Sequence, residues 1–416
     1  MSRKSKNDHD ENKIGFLTFV EKTFPGSNPK PNFKGSIPTG CCNLDLILPS
    51  NGIPSRGITE VYGPECSGKS TLALYLMLNA SKIIGKKCLY LDFEHKMQPD
   101  YARKLGIDFF DPSMSNGDPS FYLLQPQSIE EAYQYIDKYG QDFSLIVIDS
   151  VTAMRPREKK KSSNDEDTYF ENPSLVTKVY SAFFSYASHK VYEHDLALLC
   201  LSQTRMSGDT HFRMTEKPSG GRAQRHFISL SIALSPSALT GSKSVRGTKL
   251  CPVTDKTLPN QPLLTHVTAT IVKDCVGGSS GLQTEFYLFN DGGVCNAYPL
   301  LEQAKKVDIY KVGVTGYHQL FTSNESKERK AIVKDSTLLP FLRKIELDRD
   351  AMIALIVHQY DFDRLLNIYR RSAAPKPIIR DESEYLYGDH KEESPKKSPS
   401  NDDDSCDTFQ SLLDAS

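Results

Sequence analysis

The chain has 416 residues, of which 38% are hydrophobic and 25% charged, a composition typical of a globular protein with two or three structural units. No apolar run approaches the ~18 residues of a membrane helix, and the first residues lack the apolar stretch of a signal peptide. Nine cysteines without a CxxC pair favour free thiols in a reducing cytoplasm over disulfides or zinc sites.

The net charge of −1 conceals an uneven distribution. Residues 381–416 carry eleven acids and three lysines, a net charge of −8, so the remainder of the chain carries +7. A cationic body with an acidic tail predicts a polyanionic partner and a tail that competes with it. On charge alone, a tail that only keeps the protein in solution is an equally good interpretation.

Four segments follow from the order of the predicted elements. Residues 1–34 contain a short amphipathic helix over 11–24 and a linker, and the apolar face of that helix must pack on its own core or on a neighbouring subunit. Residues 35–297 alternate strands and helices, which predicts an α/β core with a largely parallel sheet that finishes antiparallel. Residues 298–374 are predicted to form a small α/β unit, and residues 375–416 an acidic tail without packed structure.

Within the core, short apolar runs bounded by turn residues predict strands, and apolar residues at helical spacing predict helices. The predicted strands are 58–62, 88–92, 145–149, 197–202, 227–235, 265–274 and 284–289. The predicted helices are 70–84, a helix opened by a Ser128–Glu131 capping box and ended at Gly140, 338–344 and 349–357.

A glycine-rich stretch lies between strand 58–62 and helix 70–84. It reads Gly63-Pro64-Glu65-Cys66-Ser67-Gly68-Lys69-Ser70 and is followed by Thr71, which matches the phosphate-loop pattern GxxxxGK[ST]. Glycines are required where side chains would block a phosphate, and the helix N-terminus directs its free N–H groups towards the anion. An ordinary strand–turn–helix corner is the alternative, but the flanking strand and helix favour a nucleoside-triphosphate site.

Polar residues at the ends of the later strands complete this predicted site. Asp149 closes an apolar strand, where such proteins place the acid that holds Mg²⁺ through water. Ser70 is predicted to be the direct Mg²⁺ ligand, and Lys69 to reach the β- and γ-phosphates. Glu94 is the candidate for orienting or deprotonating the attacking water, and Gln203 for contacting the γ-phosphate. Each of these last two has a plain alternative, as a strand-end acid and as a turn residue.

Two long polar segments, 155–173 and 204–226, mix basic residues with apolar ones. Charge for phosphates and apolar groups for bases suit a nucleic-acid strand, whereas solvated flexible loops are an equally good interpretation. The candidate DNA-binding residues are Arg157, Lys159, Lys160, Lys161, Lys178, Arg205, Met206, Phe212, Arg213, Gly220, Gly221 and Arg222.

Further motifs resemble the bacterial RecA recombinase family over roughly residues 11–375. They are Gly35-Ser36-Ile37-Pro38-Thr39-Gly40, Asp92-Phe93-Glu94-His95, Tyr101-Ala102-Arg103-Lys104-Leu105-Gly106, Asp149-Ser150-Val151 and Ser202-Gln203-Thr204-Arg205-Met206. That family assembles a helical filament on single-stranded DNA, with ATP bound between subunits, and exchanges strands with a homologous duplex. The resemblance implies ATP and Mg²⁺ as cofactors. It also implies single-stranded and duplex DNA as partners, and loader or single-strand-binding proteins that contact the acidic tail.

The resemblance also assigns roles to individual residues. Glu94 corresponds to the catalytic glutamate, Gln203 to the γ-phosphate sensor that couples to DNA, and Tyr101 to the ring that stacks on adenine. Lys273 corresponds to a lysine that acts on a neighbour's nucleotide. Arg225 and His226 occupy positions at the subunit interface, and residues 11–24 correspond to the helix that docks on the adjacent subunit.

Three positions depart from the family's pattern. Gln98 stands where an aspartate is usual, Cys275 replaces the second trans-acting lysine, and His226 replaces an aromatic residue. These departures fit a divergent member, such as one encoded by a bacteriophage and acting in the bacterial cytoplasm during infection. A hexameric helicase or motor on the same core, and an ATP-gated DNA-binding scaffold with little hydrolysis, are the alternative functions.

Overall fold

A computed structural model describes residues 35–111, 118–157, 173–207, 215–218, 222–236, 245–250, 257–290, 292–306, 310–312, 318–321, 329–333, 342–343 and 346. The chain divides into two compact units, Met1–Ile378 and Ile379–Ser416, and every described residue belongs to the first. The predicted helix over 11–24, the helix over 349–357 and the acidic tail lie outside the described residues.

The strands and helices follow the alternation that the sequence predicts. The strands are β1 Ser36–Ile37, β2 Ile53–Pro54, β3 Gly57–Gly63, β4 Lys87–Asp92, β5 Phe121–Leu124, β6 Phe143–Asp149, β7 Ala197–Ser207, β8 Thr215–Pro218, β9 Leu230–Pro236, β10 Val245–Leu250, β11 Thr257–Asp274, β12 Gln283–Phe289, β13 Val294–Cys295, β14 Tyr310–Val312, β15 His318–Phe321 and β16 Arg329–Val333. The helices are α1 Cys42–Ile47, α2 Lys69–Ile84, α3 Pro99–Lys104, α4 Ile129–Tyr139, α5 Pro173–Glu193, α6 Arg222–Phe227 and α7 Ala297–Lys306.

The central sheet has the order β13-β12-β11-β9-β3-β7-β6-β4-β5. From β9 to β5 all neighbours are parallel, whereas β9, β11, β12 and β13 pair antiparallel. The predicted largely parallel sheet with an antiparallel finish is therefore confirmed. The carboxyl ends of parallel strands lie at one edge of a sheet. The last residues of β3, β4 and β6 therefore lie near one another, and β7 passes the same edge at Gln203, which pairs with Gly63.

Alternate residues of the parallel strands pack on opposite faces of the sheet. Leu145 and Val147 of β6 face the core that contains α2, while Ile146 and Ile148 face the core that contains α4 and α5. Burial of each such side chain contributes about 1.5–3 kcal/mol. Covered on both faces, these strands read as continuous apolar runs rather than alternating ones.

Helix α2 is apolar around most of its circumference because it packs on the sheet on one side and against the segment around α1 on the other. The Asn79 side chain donates a hydrogen bond to the Pro38 carbonyl at 2.8 Å, which ties α2 to the segment before α1. Helix α4 begins as predicted, with Ser128 accepting from the Glu131 N–H at 3.3 Å. Packing on both sides fixes α2, and with it the phosphate loop at its start.

Three predictions of secondary structure differ from the structure. Strand β7 runs to Ser207 because its last residues pair antiparallel with β8. Phe227 ends helix α6, so the strand predicted from 227 begins only at Leu230. The 21-residue helix α5 was not predicted, although it buries Phe183, Phe184 and Val191.

Beyond the core, α7 precedes an antiparallel sheet of the order β14-β15-β16. Of the helix predicted over 338–344, Leu342 and Arg343 are described, and both are helical. None of the helices in the described ranges is long and apolar enough to cross a membrane.

Candidate nucleotide and nucleic-acid site

The glycine-rich stretch forms the turn from β3 into α2 that the motif predicts. Gly68 has φ +87°, and a Cβ there would lie 2.3 Å from Leu288 Cδ1. A Cβ on Gly63 would lie 2.3 Å from the Leu234 carbonyl oxygen. Neither position accepts a side chain without displacing its neighbour. Pro64 is half-buried, Glu65 and Cys66 are exposed, and the Ser67 side chain is buried in the turn.

Lys69 folds its ammonium group back over this loop. Its Nζ donates to the carbonyl oxygens of Gly63 at 3.0 Å and Pro64 at 2.6 Å, and to Ser67 Oγ at 3.4 Å. Burial lowers the pKa of Lys69, while the charges of Asp149 and Glu94 oppose that shift. A half-buried cation among backbone carbonyls can exchange those partners for phosphate oxygens.

Ser70 and Asp149 meet beside the loop. Ser70 Oγ donates to Asp149 Oδ2 at 3.1 Å, and the Tyr90 hydroxyl donates to the same oxygen. Burial raises the pKa of Asp149, and the hydrogen bonds from Tyr90 and Ser70 oppose that rise. A hydroxyl and a carboxylate are hard oxygen donors of the kind that Mg²⁺ prefers, so these residues fit the predicted metal.

Glu94, just beyond β4, lies within a cluster of hydrogen-bond donors. Its Oε1 accepts from Ser150 Oγ and from Gln203 Nε2 at 3.0 Å, and its Oε2 pairs with Lys96 Nζ at 2.9 Å. Burial alone would raise the pKa of Glu94, but the bonds from Ser150, Lys96 and Gln203 outweigh it and hold the pKa below its ordinary value. The carboxylate therefore remains ionised at neutral pH.

The structure thus brings Glu94 and Gln203 into contact, although they are distant in sequence. Gln203 does not lie at the tip of its strand as predicted, because β7 continues past it to pair with β8. Gln203 is instead an interior residue of β7, with Thr204 next in the same strand.

Tyr101, on α3, lies at the other side of the loop. Its hydroxyl is 2.6 Å from Thr71 Oγ1, the residue that follows the phosphate-loop motif. A Cβ on Gly292 would lie 2.9 Å from the Tyr101 ring, so the turn after β12 approaches that ring closely. Gln98, the departure from the family's pattern, is exposed just before α3.

The residues predicted to contact a neighbouring subunit or its nucleotide lie together at the end of β11 and on α6. Lys273 Nζ donates to the carbonyl oxygens of Arg225 and Ile228, each at 2.6 Å. Arg225, His226 and Cys275 are exposed. Their placement at a subunit interface stays a prediction.

The structure describes only part of the predicted DNA-binding set. Arg157 is exposed and lies 3.7 Å from Glu131, and Lys178 is exposed on α5. Arg205 and Met206 pair with Lys217 and Glu216 across the β7–β8 hairpin, so this part of the second segment is a β-ribbon rather than a loop. Arg222 begins α6. Outside the described residues lie Lys159, Lys160, Lys161, Phe212, Arg213, Gly220 and Gly221.

Sequence reasoning missed three residues of the site: Tyr90, Lys96 and Ser150. Ser150 follows the strand-end acid, and Lys96 lies two residues after Glu94, so position along the chain was the available signal for both. Tyr90 gave no such signal, because a tyrosine in an apolar strand is interpreted as a residue of the hydrophobic core. The seven cysteines in the described part of the chain are all free, as predicted.

A phosphate loop at the end of a central parallel strand, with an acid at the end of a nearby strand, defines the class of P-loop nucleotide-binding proteins. The model of the RecA N-terminal domain family matches residues 26–254, and the chain belongs to this family, as the motifs predicted.

Individual relatives agree with this assignment. The chain is 31% identical over 199 residues to protein RecA of Bartonella quintana (strain Toulouse), covering 47% of this chain and 53% of that protein. It is 30% identical over 198 residues to the mitochondrial DNA repair protein recA homolog of Dictyostelium discoideum, covering 47% and 41%. The chain thus spans about half the length of the curated relatives it matches. A crystal structure of the RadB recombinase is 21% identical, covers 62% of this chain and 97% of that one, and has a TM-score of 0.40, too low to support an inference.

Proposed function

We propose that this protein is a DNA-dependent ATPase that polymerises on single-stranded DNA and catalyses homologous pairing and strand exchange in the bacterial cytoplasm. One observation carries the proposal. Glu94 and Gln203 are hydrogen bonded at 3.0 Å beside a phosphate loop whose Ser70 is joined to Asp149 at 3.1 Å. The group proposed to orient water, the pair proposed to hold the metal and a residue of β7, the strand that continues into the proposed DNA-binding segment 204–226, therefore lie close together.

In this proposal each group has a separate task. Lys69 exchanges the carbonyls of Gly63 and Pro64 for the β- and γ-phosphate oxygens of ATP. Ser70 and Asp149 hold Mg²⁺, which neutralises charge on those oxygens when bound. Glu94 orients the attacking water, and its low pKa keeps it ionised for that purpose. Tyr101 stacks on the adenine.

The link to DNA runs through β7. Gln203 contacts Glu94, and the same strand continues through Arg205 into the hairpin with β8. A DNA strand that displaces or orders this hairpin would therefore move Gln203 relative to the water-orienting carboxylate. The Dictyostelium relative's name, a DNA repair protein, supports recombination and repair over the helicase and scaffold alternatives. Filament partners are further copies of the chain, with Lys273, Arg225 and His226 at the interface.

Replacement of Glu94 by glutamine tests the catalytic assignment. The amide keeps an oxygen for Ser150 and Gln203 but loses the charge, and the exposed Lys96 is free to turn away. We expect a fluorescent ATP analogue to bind as in the parent, while hydrolysis stimulated by single-stranded DNA falls at least ~100-fold.

Two further variants serve as controls for that result. Lys69→Ala should weaken both binding and hydrolysis, because it removes the cation that contacts the phosphates. Glu193→Gln alters an exposed acid at the end of α5 and should leave both unchanged. Hydrolysis at the parent rate by Glu94→Gln would show that another residue orients the water.

A further inference from the structure

A buried tyrosine lies directly behind the predicted metal site. Tyr90, on β4, is fully buried, and its ring packs edge-on against Phe109 with the centroids 6.4 Å apart. Its hydroxyl donates to Asp149 Oδ2. The same oxygen accepts from Ser70 Oγ at 3.1 Å. Two hydroxyl groups from different elements, β4 and α2, therefore converge on one carboxylate oxygen.

The pairing of β4 with β6 explains why this contact forms. Tyr90 pairs with Val147 and Asp92 with Asp149 in the parallel register. Tyr90 and Val147 both belong to the core on the α2 side of the sheet. Because side chains two residues apart share a face, Asp149 points to the same side as Val147. The long phenol of Tyr90 spans the remaining distance along the sheet.

This contact has a consequence for the carboxylate. The side-chain torsion that sets a carboxylate plane is broad, so a single contact leaves it loosely oriented. Two donors on Oδ2, one of them anchored in the core, fix the plane and direct Oδ1. Removal of outer-shell groups that orient the residues around a metal in this way typically lowers metal affinity 10–100-fold.

We propose that the Tyr90 hydroxyl is a positioning group for the metal site, holding Asp149 in the orientation that, together with Ser70, receives Mg²⁺ with ATP. This inference rests on the proposed nucleotide-binding function. A tyrosine that only fills the core is the competing explanation, in which Asp149 is merely a convenient partner for a buried hydroxyl.

Tyr90→Phe separates the two explanations, since it keeps the ring in the core and removes only the hydroxyl. Tyr186→Phe is the matched control, because the Tyr186 hydroxyl also donates to a carboxylate, that of Asp137, between α4 and α5 and away from the site. The measurements use the full chain. They are the Mg²⁺ concentration for half-maximal binding of a fluorescent ATP analogue, the affinity for that analogue in EDTA, and Mn²⁺ affinity by electron paramagnetic resonance with a non-hydrolysable analogue.

For Tyr90→Phe we expect the half-saturating Mg²⁺ concentration to rise about tenfold, with a parallel loss of Mn²⁺ affinity. The affinity in EDTA should stay at the parent value, and the thermal midpoint within a few degrees of it. Tyr186→Phe should leave both metal measurements unchanged.

Equal Mg²⁺ requirements in Tyr90→Phe and the parent would overturn the proposal. An equal loss of nucleotide affinity in EDTA and in Mg²⁺ would also overturn it, because that pattern indicates a disturbed loop rather than a disturbed metal site. If the parent itself showed no Mg²⁺-dependent nucleotide binding, the proposed function would fail, which is a different result from either.

Discussion

At the scale of single residues, the site contains two carboxylates whose environments act in opposite directions. Burial raises the pKa of Asp149, whereas donors and a nearby cation hold the pKa of Glu94 below its ordinary value despite its burial. Pairs of acids with divergent pKa values are typical of sites in which the two have different tasks. Here an ionised, half-buried Glu94 is suited to orienting a water molecule, and the more enclosed Asp149 is suited to holding a metal ion.

Lys96 gives this arrangement a measurable pH dependence. In the proposed function only the ionised form of Glu94 orients water, so the hydrolysis rate should fall as pH falls through the Glu94 pKa. Lys96→Met removes both a hydrogen bond and a positive charge that lower this pKa. The acid limb of the pH–rate profile should therefore move to higher pH.

The check is a pair of pH–rate profiles measured with saturating single-stranded DNA. Because the Lys96 side chain is 68% exposed, its charge is also screened by salt. In 1 M salt the acid limb of the parent's pH–rate profile should therefore also move to higher pH. Lys138→Met, at an exposed position on α4, is the control. Superimposable profiles for Lys96→Met and the parent would remove Lys96 from the account.

At the scale of elements, a half-buried acid, Glu346, is hydrogen bonded to the start of helix α7. Glu346 Oε2 accepts from the N–H groups of Asn296 at 3.1 Å and Ala297 at 2.9 Å. Asn296 in turn accepts from the Cys42 N–H at 3.0 Å. A carboxylate at a helix N-terminus satisfies N–H groups that have no partner within the helix. Glu346 is thus joined to α7 directly and to α1 through Asn296.

This acid predicts a pH dependence of stability. Burial raises the pKa of Glu346 to about 7, and the hydrogen bonds from Ala297 and Asn296 oppose that rise. Since the folded-state pKa is above the unfolded one, the contribution is fully present below about pH 4.5 and is lost as pH rises through about 7. Between pH 5 and 8 the parent should lose on the order of 2 kcal/mol relative to Glu346→Gln.

Urea unfolding of both proteins across that range checks this expectation. The variant's overall stability can differ from the parent's through altered hydrogen bonds, so the informative quantity is the slope of the difference against pH. A difference that stays constant from pH 5 to 8, or that favours the parent at high pH, would contradict it.

Part of the fold and of the candidate site could be predicted from the sequence. The phosphate loop and Asp149 were predictable, because a local motif between a strand and a helix dictates its own geometry. The contact between Gln203 and Glu94 was not predictable, since it depends on how β7 and β4 are placed in the sheet and on a strand that continues past Gln203 to pair with β8. Periodicity placed Tyr90 in the core correctly, yet it carries no information on what a buried hydroxyl meets. Lys96 lies only two residues after Glu94, but an exposed lysine that close in sequence also pairs with water as often as with an acid, so its position alone did not establish the contact.

At the scale of the whole molecule, the proposed function couples the nucleotide to DNA through the central sheet. The phosphate loop, Glu94 and the base of the β7–β8 hairpin lie at the carboxyl ends of neighbouring parallel strands, where open α/β sheets bind ligands. The body of the chain carries +7 and residues 381–416 carry −8, so a polyanion is expected to bind the body of the chain rather than residues 381–416.

In the proposed function, ATP drives assembly of this chain on single-stranded DNA. Electron microscopy of the full-length protein with single-stranded DNA and a non-hydrolysable ATP analogue tests it most directly, with Lys69→Ala as the control that is expected to bind the nucleotide weakly. We predict helical filaments that require both DNA and nucleotide and that are absent with Lys69→Ala. Closed rings, or DNA without regular assemblies under conditions in which the analogue binds, would contradict the account.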